Sequence, residues 1–277
     1  MKNRDFTLFL ILTGVFLLFL SGCEHPLEKS YHLQTESVKL TSLDQIILVA
    51  KPRIKPVLYT NVYGLEKLPV RKAKAKFISA VLPSILIAKY EIDQRRIKVE
   101  SILKKKEWSS ADSIFYDEMK SRYRAKTDDE LKIRIGSLPT SLVLAQAAVE
   151  SGWGKSRFFL EANNLFGVWS YNIHDSRIPA RIARKDKRTY LRSYKDMSES
   201  IVHYFEILAR SRSYKSLREA RAKTDDPFEL LPHLKYFSER RTLYTTQLKQ
   251  IIKRNNFTQF DRYEIDPQYI QEDILED

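Results

Sequence analysis

One apolar segment constrains the fold more than any other part of the sequence. Leucine, valine, alanine and one glutamine fill positions 142–149, and the run ends at the single carboxylate of Glu150. Alanine and leucine are strong helix formers, and glycine commonly ends a helix. We therefore predict a helix that Thr140 or Ser141 caps and Gly152 ends. A hydrophobic content of 43% and an aromatic content of 12% are ample for a packed core around it.

Glycine is concentrated in the same region. The chain has only seven glycines. Glycine serves where the backbone takes unusual dihedral angles or approaches another group closely. Its clustering therefore marks this region as one of special backbone geometry. The members that fall between positions 136 and 167 are Gly136, Gly152, Gly154 and Gly167.

The surroundings of Glu150 favour its neutral form. Val149 and Trp153 flank it in the sequence, and the negative end of the helix dipole lies there. Both effects raise the pKa of a carboxyl group. A carboxylic acid that stays protonated near neutral pH can donate a proton to a leaving glycosidic oxygen. The alternative is an exposed residue of the last helical turn with no chemical role.

The N-terminus has the pattern of an export signal. Lys2 and Arg4 precede an apolar run from Phe6 to Leu20, and small residues follow it. The run is shorter than the roughly 20 residues of a membrane-spanning helix. We predict a signal at residues 1–22, with an uncleaved membrane anchor as the alternative.

The end of this signal, Leu20-Ser21-Gly22-Cys23, resembles the bacterial lipoprotein box. The resemblance implies that Cys23 becomes the acylated N-terminus and attaches the protein to a membrane; an incidental cysteine is the alternative. Glu24 favours the outer membrane, facing the periplasm, over the inner membrane. Cys23 is the only cysteine, so no internal disulfide is expected.

The charge balance indicates which partners to expect. The chain has a formal net charge of +13, which favours cell-wall carboxylates and phosphates or anionic lipid head groups. Export makes nucleic acid an improbable partner. We expect no cofactor and no metal, because the histidines are scattered without the spacing of metal ligands. They are His25, His32, His174, His203 and His233.

The periodicity divides the rest of the chain into three parts. We predict a tether or irregular arm at 23–70, a mostly helical domain at 71–257 and a loose acidic tail at 258–277. The first helix of the domain begins near Arg71, and Pro83 is expected to kink or restart it. Alternation of apolar residues predicts a β-hairpin. The hairpin is expected at 178–194 and further helices at 109–125, 198–211, 213–222 and 241–254.

Two motifs resemble glycoside hydrolase family 73, the peptidoglycan endo-β-N-acetylglucosaminidases. They are Ala145–Gly154 and Asn163–Gly167, and the segments Leu138–Leu142 and Tyr236–Tyr244 are similar to its Bax-like branch. The resemblance covers residues 71–257. It implies a mainly α, α+β, lysozyme-like fold with a helical lobe, a small β-hairpin lobe and a cleft between them. It also implies peptidoglycan glycan strands as the substrate and Glu150 as the general acid.

The resemblance suggests residues that contact substrate or brace the site. Asn163, Asn164 and Phe166 match the second motif and are expected to shape the cleft wall. Alternatively, the amides cap backbone groups and the Phe fills the core. Trp169 and Tyr171 either stack on sugars or pack in the core, and Trp153 is expected to be structural. The other residues expected to line or brace the site are Tyr190, Tyr194, Tyr236 and Phe237.

The second carboxylate that most glycosidases use is missing from its expected place. Tyr190 stands where the relatives carry Glu, and the nearby Asp175 and Asp186 are expected to be solvated turn residues. Three possibilities follow: hydrolysis with the N-acetyl group of the substrate as nucleophile, a lytic transglycosylase in which Glu150 acts alone, or a catalytically weakened wall-binding module.

Overall fold

The structure is a computed structural model that describes residues 30–180 and 189–273. The predicted signal, Cys23, the tip of the predicted hairpin with Asp186, and residues 274–277 lie outside the described residues.

Helices make up most of the described chain, as predicted. None of the helices in the described ranges is long and apolar enough to cross a membrane. The fold is mainly α, of the α+β class. The helices are α1 (Val70–Lys104), α2 (Ser110–Tyr123), α3 (Asp128–Arg134), α4 (Thr140–Glu150), α5 (Arg157–Ala162), α6 (Met197–Arg210), α7 (Lys215–Arg221), α8 (Pro227–Leu230) and α9 (Thr242–Arg254).

Helix α1 passes through Pro83 as one helix, so the predicted restart is wrong. Proline removes one backbone hydrogen bond, which weakens a helix in isolation. In α1 the residues around Pro83 are buried against α4 and α6. Tertiary packing on both sides therefore holds the helix together across the missing bond.

The strands are short and form small sheets. They are β1 (Ser30–Leu33), β2 (Glu36–Lys39), β3 (Arg53–Ile54), β4 (Val57–Thr60), β5 (Trp169–Ser170), β6 (Arg177–Pro179), β7 (Tyr190–Arg192), β8 (Glu264–Ile265) and β9 (Ile270–Asp273). The predicted hairpin corresponds to β6 and β7, which pair antiparallel. Strand β5 adds to the other side of β7, so this β-lobe is three-stranded.

The segment predicted to be a tether is packed from residue 30 onward. β2 pairs in parallel with β4, and β1 pairs antiparallel with β9. Ile46, Tyr59 and Leu65 are buried in the same core as the helices. Prolines and the lack of a helical period suggested an irregular arm. The pairing that orders this segment joins residues far apart in the sequence, which local periodicity does not detect.

The segment predicted to be a loose tail is also packed as far as residue 273. Phe257–Arg262 forms a 3-10 helix in which Phe257 and Phe260 are buried. β8 then pairs with β3, and Ile265 of β8 is buried. The two ends of the described chain therefore close against each other, and both contribute to the core around the predicted domain.

This C-terminal segment caps helix α4. Pro139 occupies the N-cap position and offers no side-chain hydrogen bond, so the predicted cap by Thr140 or Ser141 is wrong. Instead, the Ser141 amide donates to Asp261 Oδ1 at 2.7 Å and the Ser141 hydroxyl donates to Asp261 Oδ2 at 2.8 Å. A carboxylate at a helix N-terminus also interacts favourably with the helix dipole.

We predict that Asp261→Ala lowers the free energy of unfolding by about 1–2 kcal/mol, since it leaves the start of α4 without its cap. Urea unfolding followed by circular dichroism measures the change. Glu264→Ala is the matched control from the same segment, because its side chain is 65% exposed and its contact with Arg53 is 3.9 Å long. Equal losses in the two variants would contradict the capping role.

Candidate active site

Glu150 lies where the buried helix α4 reaches the surface. The positions from Thr140 to Ala148 are buried, whereas Val149 and Glu150 are partly exposed. The carboxyl group is thus presented from the end of a helix that the core fixes along its length. Such a group cannot shift without disturbing the packing behind it.

A tight left-handed turn follows Glu150. Gly152, Trp153 and Gly154 have φ angles of 59°, 59° and 77°. A Cβ atom on Gly154 would lie 2.8 Å from Leu65 Cδ1 and 3.0 Å from the Phe77 ring. Trp153 packs edge-on against Phe77 with 5.5 Å between ring centroids, in the structural role expected of it.

We predict that Gly154→Ala destabilises the protein by about 2–4 kcal/mol. The change combines a strained positive φ with overpacking against Leu65. Gly152→Ala is the control, because its φ is also positive but no atom lies within 4 Å of the added Cβ. Thermal unfolding should show a much larger loss for the first variant. Similar losses would mean that the close approach of Leu65 is unimportant.

Burial raises the pKa of the Glu150 carboxyl, and two neighbours oppose part of that rise. The Tyr244 hydroxyl donates a hydrogen bond to the carboxyl, and the positive charge of Arg240 lies nearby. The direction agrees with the expectation from the sequence. The site therefore favours the protonated acid while it holds the group in place with a donor.

Glu150 is the end of a buried hydrogen-bond chain that the sequence analysis missed. The Tyr204 hydroxyl donates to Gln146 Oε1, and Gln146 Nε2 donates to the Tyr244 hydroxyl at 3.1 Å. Tyr244 in turn contacts Glu150. Gln146 is the one amide in an apolar helix and lies one turn before Glu150, on the same face. This position of Gln146 is the feature of the sequence that could have indicated the hydrogen-bond chain.

Aromatic rings enclose this chain. Phe166 stacks on Tyr204 with centroids 4.2 Å apart, and Phe237 stacks on Tyr244 with centroids 5.8 Å apart. Tyr204 meets Phe237 edge-on at 5.9 Å. Phe166 and Phe237 thus brace the two tyrosines. For Phe166, which is buried, this position matches the core-filling alternative rather than a cleft wall.

The two asparagines of the second motif bind backbone groups. Asn164 is 1% exposed; its amide nitrogen donates to the carbonyls of Val168 and Arg192, and its oxygen accepts from the Val168 amide. Asn163 donates to the Tyr194 carbonyl at 3.0 Å. The burial of Asn164 and the use of both its N–H donors on backbone carbonyls match the backbone-binding alternative rather than sugar contact. Asn164 thus attaches the 163–168 loop to β7, and Asn163 attaches it to the segment after β7.

Tyr194 lies in different surroundings from those expected, and Tyr190 contacts a neighbouring strand. Tyr194 is buried and its hydroxyl is 2.8 Å from His203 Nδ1 on α6. It lines a cavity of about 450 Å³ together with Glu206, away from the residues around Glu150. Tyr190 is half-buried, with the Arg177 guanidinium 4.1 Å from its ring centre. Tyr194 therefore braces the β7–α6 junction.

Other aromatic residues remain open to solvent. Trp169 is 36% exposed and Tyr171 is 88% exposed, both on the β-lobe side. Tyr236 is 50% exposed and lies under the Arg241 guanidinium at 4.8 Å. These rings have faces or edges that a ligand can reach, unlike Phe166 and Tyr194.

Within the described ranges, Arg240 is the charged side chain that shifts the pKa of Glu150, and no carboxylate contributes to its rise. Asp175 is not the solvated turn residue expected, because it accepts from Ser170 and pairs with Arg192 at 3.1 Å. Among the residues that the structure describes, no three His, Cys, Asp or Glu side chains converge on a possible metal position.

We predict that Glu150→Gln stabilises the protein at neutral pH. The pKa of Glu150 is raised on folding, so its ionised carboxylate lowers the free energy of unfolding at pH values above that pKa. Below about pH 4.5 the group is protonated in both the folded and the unfolded protein, and this loss disappears. The melting temperature of the variant should therefore exceed that of the parent by about 2 °C or more at pH 7 and match it at pH 4. Glu161→Gln, at an exposed ion pair with Arg157, should show no such trend.

Comparison with known proteins finds a family model that matches the part of the chain around Glu150. A family model for glucosaminidase, described as mannosyl-glycoprotein endo-beta-N-acetylglucosaminidase, matches residues 125–257. Protein bax of Escherichia coli K12 is 27% identical over 168 residues, which cover 57% of this chain and 59% of that protein. Exo-glucosaminidase LytG of Bacillus subtilis 168 is 34% identical over 90 residues, 29% of this chain and 32% of its own. The chain thus spans less than two thirds of either relative.

Among solved structures, the catalytic domain of the autolysin Auto from Listeria monocytogenes has a TM-score of 0.38 and 22% identity, and the match covers 61% of this chain and 96% of that one.

Proposed function

Because a glucosaminidase family model matches residues 125–257, we propose that the protein is a peptidoglycan hydrolase that cleaves the β-1,4 bond after N-acetylglucosamine. The observation that carries the proposal is the position of Glu150 at the end of α4. Its carboxyl is partly exposed there, and the burial of the rest of the side chain raises its pKa. A neutral carboxylic acid at that position is suited to protonate a leaving glycosidic oxygen.

In this proposal Glu150 acts first as acid and then as base. It gives its proton to the leaving oxygen as the bond from that oxygen to C1 of the N-acetylglucosamine breaks. Its carboxylate then removes a proton from the water that attacks C1, which restores the acid. The hydrogen bond from Tyr244 stabilises the carboxylate between the two steps and holds its orientation.

The nucleophile of the first step is proposed to be the N-acetyl group of the substrate. Its carbonyl oxygen attacks C1 while the glycosidic bond breaks, and water later opens the cyclic intermediate. This route is a known exception to the two-carboxylate rule. It is supported here because Tyr190 occupies the position expected for Glu, and because Asp175 is already paired with Arg192.

The exposed aromatic residues are proposed to bind the glycan. Trp169, Tyr171 and Tyr236 offer ring surface to solvent, and sugar rings present apolar C–H faces that stack on such rings. The net charge of +13 adds attraction to the carboxylates of the wall peptides. We also propose that lipid on Cys23 holds the protein in the cell envelope, at the outer membrane and facing the periplasm.

The test uses protein that begins after Cys23, incubated with purified peptidoglycan, with the products identified by mass spectrometry. Reducing-end N-acetylglucosamine is expected, and Glu150→Gln should lower its release by about 10²–10⁴-fold. Glu161→Gln should keep full activity, because its exposed side chain lies in an ion pair on α5. Anhydro-muramyl ends would identify a lytic transglycosylase. Binding without any release would favour the wall-binding module.

A second substrate separates the possible nucleophiles. Peptidoglycan whose N-acetylglucosamine residues have been de-N-acetylated lacks the proposed nucleophile, so its cleavage should fall at least as far as with Glu150→Gln. Undiminished cleavage of this substrate would mean that a protein group or water attacks C1 directly.

A further inference from the structure

A cationic and apolar surface lies on the N-terminal segment, away from Glu150. It consists of Ile47, Leu48, Lys51, Arg53 and Lys55, and is called here the 47–55 surface. Ile47 is 65% exposed and Leu48 is 52% exposed. Large apolar side chains that are adjacent, exposed and ringed by charge commonly mark a contact site.

The backbone beneath the 47–55 surface is fixed. The Ile47 amide donates to the Tyr59 hydroxyl at 3.2 Å, and the Val49 amide donates to the Ser79 hydroxyl at 3.1 Å. Lys76 Nζ donates to the Ile46 carbonyl at 3.0 Å. The exposure of Ile47 and Leu48 is therefore set by these bonds to β4 and α1.

An apolar groove of about 240 Å³ runs beside these two residues. Val57 and Pro83 contribute to its apolar wall, and the three cations of the 47–55 surface stand along its edge. Lys55 pairs with Glu36, and Arg53 approaches Glu264 at 3.9 Å. These pairs are exposed and weak, so the cations remain available to another anion.

Lys55, the last residue of this surface, lies at the end of the sheet where the chain enters β2, and there it pairs with Glu36. β2 and β4 are parallel, with Glu36 opposite Val57, so both strands start at the same end. The chain reaches that end from β1, and the 47–55 surface immediately precedes β4. Cys23 is about seven residues before β1, which limits its distance from Ser30 to roughly 25 Å.

We propose that the 47–55 surface rests on an anionic phospholipid membrane, with Ile47 and Leu48 inserted among the head groups and the three cations against the phosphates. Apolar side chains flanked by Lys and Arg have the composition of interfacial membrane contacts. The short chain from Cys23 favours a membrane over a soluble partner, and in this respect the proposal rests on the proposed lipid attachment.

The experiment measures sedimentation of the protein that begins after Cys23 with vesicles of phosphatidylcholine alone or with 30% phosphatidylglycerol. Binding to the anionic vesicles is expected, and it should weaken as salt rises. Ile47→Ser with Leu48→Ser should weaken it by about ten-fold or more. Lys51→Gln should weaken it by about five-fold.

Matched controls distinguish binding through this surface from nonspecific hydrophobic binding to vesicles. Ile114→Ser and Ile97→Ser remove side chains that are 70% and 53% exposed elsewhere, and should leave vesicle binding unchanged. The proposal is overturned if the controls lose as much binding, if neutral vesicles bind equally well, or if the Ile47/Leu48 double variant binds normally. It is also overturned if that double variant abolishes a dimer seen by analytical ultracentrifugation, since a second copy would then be the occupant.

Release of wall fragments by the same variants keeps the two proposals apart. All of them should cleave peptidoglycan at the parent rate, since none of the substituted residues is, or adjoins, a residue that interacts with Glu150. Loss of vesicle binding with normal cleavage supports the membrane contact. Normal vesicle binding in an inactive parent protein would reject the proposed hydrolysis and leave the membrane contact standing.

Discussion

The burial of helix α4 is the constraint on which the rest of the structure depends. Its side chains from Thr140 to Ala148 are removed from water by α1, α9 and the 3-10 helix Phe257–Arg262. The helix ends at the surface in the left-handed turn at Gly152–Gly154. The single carboxylate of α4 therefore occupies a position set by the whole core rather than by a flexible loop.

The position of Glu150 lowers the stability of the fold and serves the proposed chemistry. A partly buried carboxylate is unfavourable, and burial raises the pKa of Glu150. The chain from Tyr204 through Gln146 to Tyr244 offsets part of this cost, because it delivers one hydrogen-bond donor to the carboxyl. The same arrangement keeps a proton available and its carrier oriented, which is the requirement for a general acid. The burial of Glu150 thus lowers the stability of the fold, and the same burial serves the proposed activity.

The sequence predicted what local patterns encode. The α4 helix, the direction of the Glu150 pKa and the β6–β7 pairing follow from composition and period over neighbouring residues. The packed structure of residues 30–69 and 258–273 could not be predicted in this way. It depends on the parallel pairing of β2 with β4 and of β3 with β8, which joins distant segments. The cap of α4 by Asp261 and the role of Asn164 in binding backbone were missed for the same reason: each depends on a partner that only the fold brings close.

The proposed chemistry depends on a pKa of Glu150 that the fold raises above that of a free glutamate. A ¹³C NMR titration of protein labelled at glutamate carboxyl carbons, with Glu150→Gln used to assign the signal, measures its pKa directly. We predict a midpoint clearly above the ordinary value of 4.5, and a further rise in Tyr244→Phe, which removes a hydrogen bond that lowers the pKa. A midpoint at or below 4.5, or no response to Tyr244→Phe, would contradict it.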